Sequence, residues 1–283
     1  MREPGAVREV TADEVAQFRA CGWALLRDFV AAEHLPPIAA EVRALIGEQA
    51  ETAKETTGAF RRIWRTYDEP SYRSAPLWGF ATSPSVGRAG SALLGGAPVR
   101  FLRDEVYVKM PTAGGEGRPT PWHQDFPYGN RDRSEQVNLW IALEDIPVDG
   151  GALRYLSGSH RRGALGRALD APERDLLAQY PDLVEEFPVS PTTEIRRGDV
   201  LAHHGLTVHG APANTTASPR WAYTVVLFHA DSRYTGVPWP RRLAGHMGGI
   251  AVNEPFDHPL TPVVWPPDRR DARSAPPLTE GTP

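Results

Sequence analysis

What most restricts the fold of this chain is a change of hydrophobic period at about Gly96. Beyond that point the apolar residues come in short alternating runs closed off by Gly and Pro. Val137, Leu139, Ile141 and Leu143 alternate with Asn138, Trp140 and Ala142, and a period of two puts one set of side chains on each face of a strand. Similar runs predict strands over 99–110, 152–156, 193–195, 199–203, 208–210 and 221–229, with turns at Gly150-Gly151, Ser157-Gly158 and Gly198-Asp199. With 26 Gly and 28 Pro in 283 residues, this is the turn-rich pattern of a sandwich or barrel rather than a helical bundle.

Before Gly96 the spacing is helical. Thr11 and Glu14 form a capping box for a helix to about Ala20. A strand is expected over 23–30. Leu35, Ile38, Val42, Leu45 and Ile46 share one face of a helix over 32–50. Ser83 and Pro84 open another helix to Leu94. Residues 51–73, rich in Thr and Arg, read as a loop or lid; residues 161–188 read as an insertion, and a second lid, with a helical turn near Pro172–Gln179. The expected organisation is one domain over 1–283: a helical part to about 97, a β core over about 98–235, and a Pro-rich tail over 259–283 that wraps the surface or frays.

Charge and cysteine content narrow the partners. A net charge of −4 gives no global basic face, so nucleic acid is not expected. The single cysteine, Cys21, excludes a disulfide scaffold and a cysteine zinc cluster. No apolar run approaches the ~18 residues of a membrane helix, and the first ten residues lack the apolar core of a signal peptide. The expectation is a soluble cytoplasmic protein acting on a small molecule, with no membrane contact.

The chemistry centres on Trp122-His123-Gln124-Asp125-Phe126. On a strand, His123 and Asp125 share a face and can grip one metal ion. A second imidazole, offered by His209-Gly210-Ala211-Pro212-Ala213-Asn214 at the end of a predicted strand, would complete a two-His, one-carboxylate triad. That set leaves three octahedral positions open, which suits non-heme Fe(II) and O2. Arg220, opening the next strand, fits the far carboxylate of a bidentate α-keto acid. His203 and His204 compete as the distal ligand; the spacing to Arg220 and the Pro-Xaa-Asn sequence favour His209, with an inward His203 or His204 nearby.

These segments, with Asp149 to His160 and Gly198 to His204 in the same order, resemble the phytanoyl-CoA dioxygenase family of Fe(II)/2-oxoglutarate-dependent oxygenases. The resemblance runs from about Val99 to His229. It implies a double-stranded β-helix, or jelly roll, with the metal at its mouth. It implies His123, Asp125 and His209 as iron ligands, Arg220 as the 2-oxoglutarate anchor, and Trp140 as part of the co-substrate pocket. Many members carry a small hydroxyl residue two positions after the distal histidine. Ala211 stands there, which leaves that contact absent or supplied by a neighbour such as Thr207.

Other candidates follow from position. Lys109 ends a strand just before the loop to His123 and is expected to reach the co-substrate or a substrate acid. Trp122, Phe126 and Tyr128 flank the metal pair as walls for an organic substrate. Asn138 faces the same way as Trp140. Arg61, Arg62, Trp64, Arg65 and Tyr67 form a basic-aromatic cluster in the first lid, and Arg65 is a candidate substrate contact. The reading is hydroxylation of an unactivated C–H bond of a small organic molecule such as a secondary-metabolite intermediate, with release of succinate and CO2. Desaturation, epimerisation or cyclisation with the same cofactors, and a non-catalytic binding jelly roll, are the alternatives.

Overall fold

The computed structural model describes residues 5–52, 64–114, 117–171, 173–239 and 247–267. Its first layer is helical. α1 (Ala12–Cys21) starts on the Thr11 capping box, where the Thr11 hydroxyl accepts from Glu14 N–H and the Glu14 carboxylate accepts from Thr11 N–H, and stops at Gly22 with φ +77°. α2 (Leu35–Thr52), α3 (Ala75–Ala81) and α4 (Pro84–Leu93) follow. Ser83 caps α4 by accepting from Val86 N–H, and Ser74 caps α3 from Leu77 N–H, each satisfying a first-turn donor that has no partner inside the helix.

The strands are β1 (Trp23–Leu26), β2 (Trp64–Asp68), β3 (Val99–Lys109), β4 (Thr120–His123), β5 (Gln136–Ala142), β6 (Arg154–Tyr155), β7 (Val200–His204), β8 (His209–Ala211), β9 (Arg220–His229) and β10 (Val263–Trp265). Short helices α5 (Leu176–Gln179) and α6 (Leu183–Glu186) lie between β6 and β7. Among the described residues, seven strands form one sheet in the order β1-β7-β5-β9-β3-β10, with β2 also on β3; a second sheet runs β4-β8-β6. All the ladders are antiparallel. β3 is long enough to pair with β2 near Lys109 and with β10 near Val99 along one edge.

Alternation decides which side chains meet. Val137, Leu139 and Ile141 of β5, with Val225 and Leu227 of β9, pack against helix residues such as Phe18, Val42 and Trp78. Trp140, Ala142, Leu201 and Ala222 point the other way, toward Tyr155 on the small sheet. The large sheet is thus covered by helices on one face and by the small sheet on the other, as the jelly-roll expectation requires, and β5 is buried along its whole length. No helix among the described residues is long and apolar enough to cross a membrane.

Several local expectations are corrected. The strand over 23–30 ends at Leu26, because the Asp199 carboxylate accepts from Asp28 N–H at 2.8 Å and Asp28 turns with φ +46°. The strand over 152–156 shrinks to Arg154–Tyr155, and that over 193–195 to a single bridge, Ile195 to Ile146. The first lid contains β2, whose Trp-Arg-Thr-Tyr-Asp sequence pairs with β3 from Trp64 opposite Lys109 to Asp68 opposite Glu105; aromatic and Thr residues favour a strand despite the arginines. Arg61 and Arg62 lie outside the described residues, and of Trp64 and Arg65 only the backbone is described. The tail does not merely wrap: β10 joins the sheet, and Leu260 and Val264 enter the core.

Candidate active site

His123 ends β4 and His209 begins β8, and the two are direct cross-strand partners. Register alone therefore brings their rings together, with centroids 4.3 Å apart. Both are oriented by the same local device. Nδ1 of His123 bonds the carbonyl of Pro121 at 2.8 Å, and Nδ1 of His209 bonds the carbonyl of Thr207 at 3.0 Å. That places the proton on Nδ1 and leaves Nε2 as a lone-pair donor.

Asp125 does not share a strand with His123. β4 stops at His123, and Asp125 sits in helical conformation (φ −83°, ψ −40°) at the head of a single turn over Phe126–Tyr128. The turn is pinned because Asp125 and Phe126 N–H both donate to the Gly205 carbonyl. The effect is still convergence: Asp125 Oδ1 lies 3.6 Å from His123 Nε2 and 3.8 Å from His209 Nε2. One ligand atom from each of the three residues falls within 4.8 Å of the others.

Burial pushes His123 and His209 down to about 4. Burial alone would raise the Asp125 carboxyl, but the imidazoles of His209, His203 and His123 hold it well below the usual carboxylate range. Two neutral imidazoles and one carboxylate at neutral pH are the protonation states a divalent metal requires. The donor set, two nitrogens and one oxygen, fits an open-sided Fe(II) site.

The same cavity holds a second, cationic end. Lys109 and Arg220 are register partners on β3 and β9. The Arg220 guanidinium lies 4.9 Å from the Trp140 ring centroid, and its Nη2 donates to Gly151 O at 3.3 Å. Its Nε and Nη1, and the Thr224 hydroxyl, are buried without a hydrogen-bond partner among the described residues. Lys109 Nζ donates to Thr120 Oγ1 at 2.9 Å. Burial lowers Lys109 to about 6, helped by Arg220, and lowers Arg220 to about 10. Buried donors left unmatched are costly, and a carboxylate placed between them would match them. The residues present therefore fit both a metal and an anionic co-substrate.

Trp140, Asn138 and Lys109 line this cavity with the triad and Arg220. Thr207 does not: its hydroxyl donates to Gly22 O at 2.7 Å, closing the end of α1. Trp122 packs outward on Leu156 and Val208 and lines a separate surface pocket. Phe126 and Tyr128 are half-buried outside the cavity, with the Tyr128 hydroxyl accepting from Leu169 N–H. His203 points inward, 3.1 Å from Asp125 Oδ2, and His204 points out against Phe18. Sequence reasoning missed Thr224, Glu105 and Tyr107, which line the cavity. Counting by twos forward from Arg220 and back from Lys109 would have found them. It also missed Gln124, whose side chain bonds Gly163, Leu165 and Leu206 and so docks the 161–188 insertion beside the triad.

With this geometry in hand, the comparisons decide the family. Residues 18–222 match the model described as phytanoyl-CoA dioxygenase (PhyH). The chain belongs to the phytanoyl-CoA dioxygenase family. It is 34% identical over 142 residues to phytanoyl-CoA dioxygenase domain-containing protein 1 of Mus musculus (48% of this chain, 47% of that one), and 29% identical over 141 residues to phytanoyl-CoA dioxygenase of Arabidopsis thaliana (50% and 47%). The chain spans about half the length of the relatives it matches. Among solved structures, it is similar to the α-ketoglutarate-dependent carbocyclase SnoK from nogalamycin biosynthesis, with TM-score 0.76 and 26% identity over 92% of this chain and 98% of that one. The epimerase SnoN, solved with Fe3+, α-ketoglutarate and nogalamycin RO, shares the fold at TM-score 0.68 and 22% identity over 89% and 97%.

Proposed function

We propose that the protein is an Fe(II)/2-oxoglutarate-dependent oxygenase that hydroxylates an unactivated C–H bond of a small organic molecule. The observation that carries this reading is one cavity with two unlike ends: a converging His123, Asp125 and His209 at one, and a buried Arg220 with unmatched N–H groups at the other. His123 Nε2, His209 Nε2 and Asp125 Oδ1 would hold the iron. Arg220 would take the distal carboxylate of 2-oxoglutarate through its free Nε and Nη1, with Thr224 and Lys109 beside it. Bound there with 2-oxoglutarate and O2, Fe(II) supplies an oxidant able to take hydrogen from carbon, with succinate and CO2 as co-products.

The chain's own work is positional. The cross-strand pair His123–His209 sets the spacing of the imidazoles, and the two carbonyls behind them set their direction. The Trp140 ring lies 4.9 Å from the Arg220 guanidinium and supports it as a cation–π partner. Gln124, between His123 and Asp125, holds the start of the 161–188 insertion through Gly163 O and Leu165 N–H. A second reading keeps these cofactors and ends in ring closure or epimerisation; the likeness to SnoK, 26% identical, favours including it. Both readings are tested by succinate release from 2-oxoglutarate with Fe(II) and O2 over a panel of polycyclic and carrier-linked substrates. Gain of one oxygen in the product supports hydroxylation, loss of two hydrogens or an unchanged mass supports the second reading, and failure of Mn(II)-loaded protein to bind 2-oxoglutarate rejects both.

A further inference from the structure

Asp125 Oδ1 faces the two histidines, but Oδ2 faces away from them and is not free. It accepts from His203 Nε2 at 3.1 Å and from Asn138 Nδ2 at 2.9 Å. The Asn138 bond is the last of a series. Asn138 Oδ1 accepts from Gln136 Nε2 at 3.1 Å, and Gln136 Oε1 accepts from Arg131 Nη2. Asn138 and Gln136 are alternate residues of β5 on the face turned to the interior, and all three side chains are buried.

The series has one direction. A guanidinium only donates, so Gln136 must turn its oxygen to Arg131 and its nitrogen to Asn138. Asn138 must then turn its oxygen to Gln136 and its nitrogen to Asp125. Flipping either amide sets donor against donor or acceptor against acceptor in a buried site. Arg131 is itself 6% exposed, has no carboxylate within ion-pair distance among the described residues, and lies over the Phe228 ring with its Nε unpartnered. A lone buried cation is an expensive way to fill space; as the head of a donor chain it has a use.

We propose that Arg131, Gln136 and Asn138 form a one-way hydrogen-bond relay that positions Asp125, occupying Oδ2 so that Oδ1 alone is presented to the metal. These are positioning residues, and the inference rests on the reading that the triad holds a metal. It makes a prediction opposite in sign to simple electrostatics. Gln136→Glu places an acceptor at both ends of the link: Arg131 is satisfied as an ion pair, but Asn138 must turn its nitrogen to the new carboxylate and its oxygen to Asp125. A nearby added negative charge should tighten a divalent cation. The relay predicts weaker Mn(II) binding instead, by about 10- to 100-fold, the usual cost of losing an outer-sphere partner.

The test is Mn(II) titration by calorimetry on the full chain, with circular dichroism and thermal melts of the metal-free protein alongside. Gln136→Glu should weaken Mn(II) binding with the melt unchanged or raised. In an Asn138→Leu background, where the last donor is already gone, the same change should alter affinity by less than about threefold, because coupled residues are non-additive. Arg131→Met, which removes a buried charge and should not harm folding, should also weaken Mn(II) binding, whereas loss of a neighbouring cation would by charge alone strengthen it. Unchanged or tighter binding in folded Gln136→Glu or Arg131→Met, or equal losses in both backgrounds, overturns the relay while the metal site stands. A wild-type chain that takes no Mn(II) overturns the metal site, and the relay with it.

Discussion

Arg220→Met separates a binding role from a structural one, because the two predict different signs for stability. In the ligand-free protein Arg220 is 5% exposed, with Nε and Nη1 unmatched. Each buried, unsatisfied donor costs about 1–3 kcal/mol. Methionine removes that cost and keeps most of the volume. Against it stand the bond to Gly151 O, long at 3.3 Å and worth about 1 kcal/mol at most, and the contact with Trp140 at 4.9 Å, worth about 1–2 kcal/mol when desolvated. Two such donors give about 2–6 kcal/mol against about 2–3 kcal/mol lost, so the metal-free variant should melt from about 4 °C below wild type to clearly above it, at ~2–4 °C per kcal/mol for a chain of this size. Binding of 2-oxoglutarate is not balanced in this way. Two charge-assisted bonds to a buried carboxylate disappear, and truncating one partner of such a pair costs about 2–5 kcal/mol. The central value, ~3.5 kcal/mol, is a loss of about 300- to 400-fold in affinity. Calorimetric titration of 2-oxoglutarate into Mn(II)-loaded protein reads the binding term, and melts without ligand read the stability term. A variant that melts 8 °C or more below wild type yet binds 2-oxoglutarate normally would show that Arg220 is a core residue and refute the argument.

Two further predictions come from other parts of the fold. Lys109, lowered to about 6 by burial and by Arg220, is neutral at pH 8 in the ligand-free protein; a carboxylate arriving beside it favours the ammonium form, so 2-oxoglutarate binding should take up a proton. The apparent Kd should therefore rise with pH above about 6, by up to roughly tenfold per unit where uptake is complete. Heats of binding in phosphate and in Tris give the proton number, and identical corrected heats would exclude uptake. Gly87 sits in α4, where helix propensity alone says Ala should stabilise by about 1 kcal/mol. A Cβ there would lie 2.8 Å from the backbone oxygen of Val264 and 2.9 Å from its carbonyl carbon, and prying α4 from β10 costs about 1–3 kcal/mol. Packing wins, so Gly87→Ala should lower the melting temperature by several degrees; a rise would mean that β10 yields freely.

The convergence of His123, Asp125 and His209 was legible because their residue types are rare in combination and their order along the chain is distinctive. Their geometry was only partly so. His123 and His209 meet through strand register, which no local pattern in 120–123 or 209–211 encodes. Asp125 converges with the two histidines, but not along a shared strand: its strand ends early because Gly205 O captures two successive N–H groups, a contact from a distant loop. The same limit explains Thr207, whose hydroxyl is claimed by the Gly22 carbonyl at the end of α1. β2 was hidden by arginines that a strand edge tolerates, and β10 by prolines on either side of it.

Period two was the most productive signal, and it reaches further than single candidates suggest. In β5, position 136 sits in the donor chain behind Asp125, 138 bonds Asp125, and 140 lies against Arg220. In β9, 220 and 224 line the cavity, and in β3, 105, 107 and 109 do. One interior face of three neighbouring strands thus carries Arg220, the proposed anion anchor, and Asn138, the support of the proposed acid ligand. The spacing between them is fixed by backbone hydrogen bonds rather than by side-chain choice. A one-residue slip between β5 and β9 would exchange Asn138 and Trp140 for apolar residues of the helix-facing side, losing both ends of the site together. The loops and the 161–188 insertion can then vary without disturbing the spacing between Asn138, which bonds Asp125, and Arg220, because both stand on the large sheet.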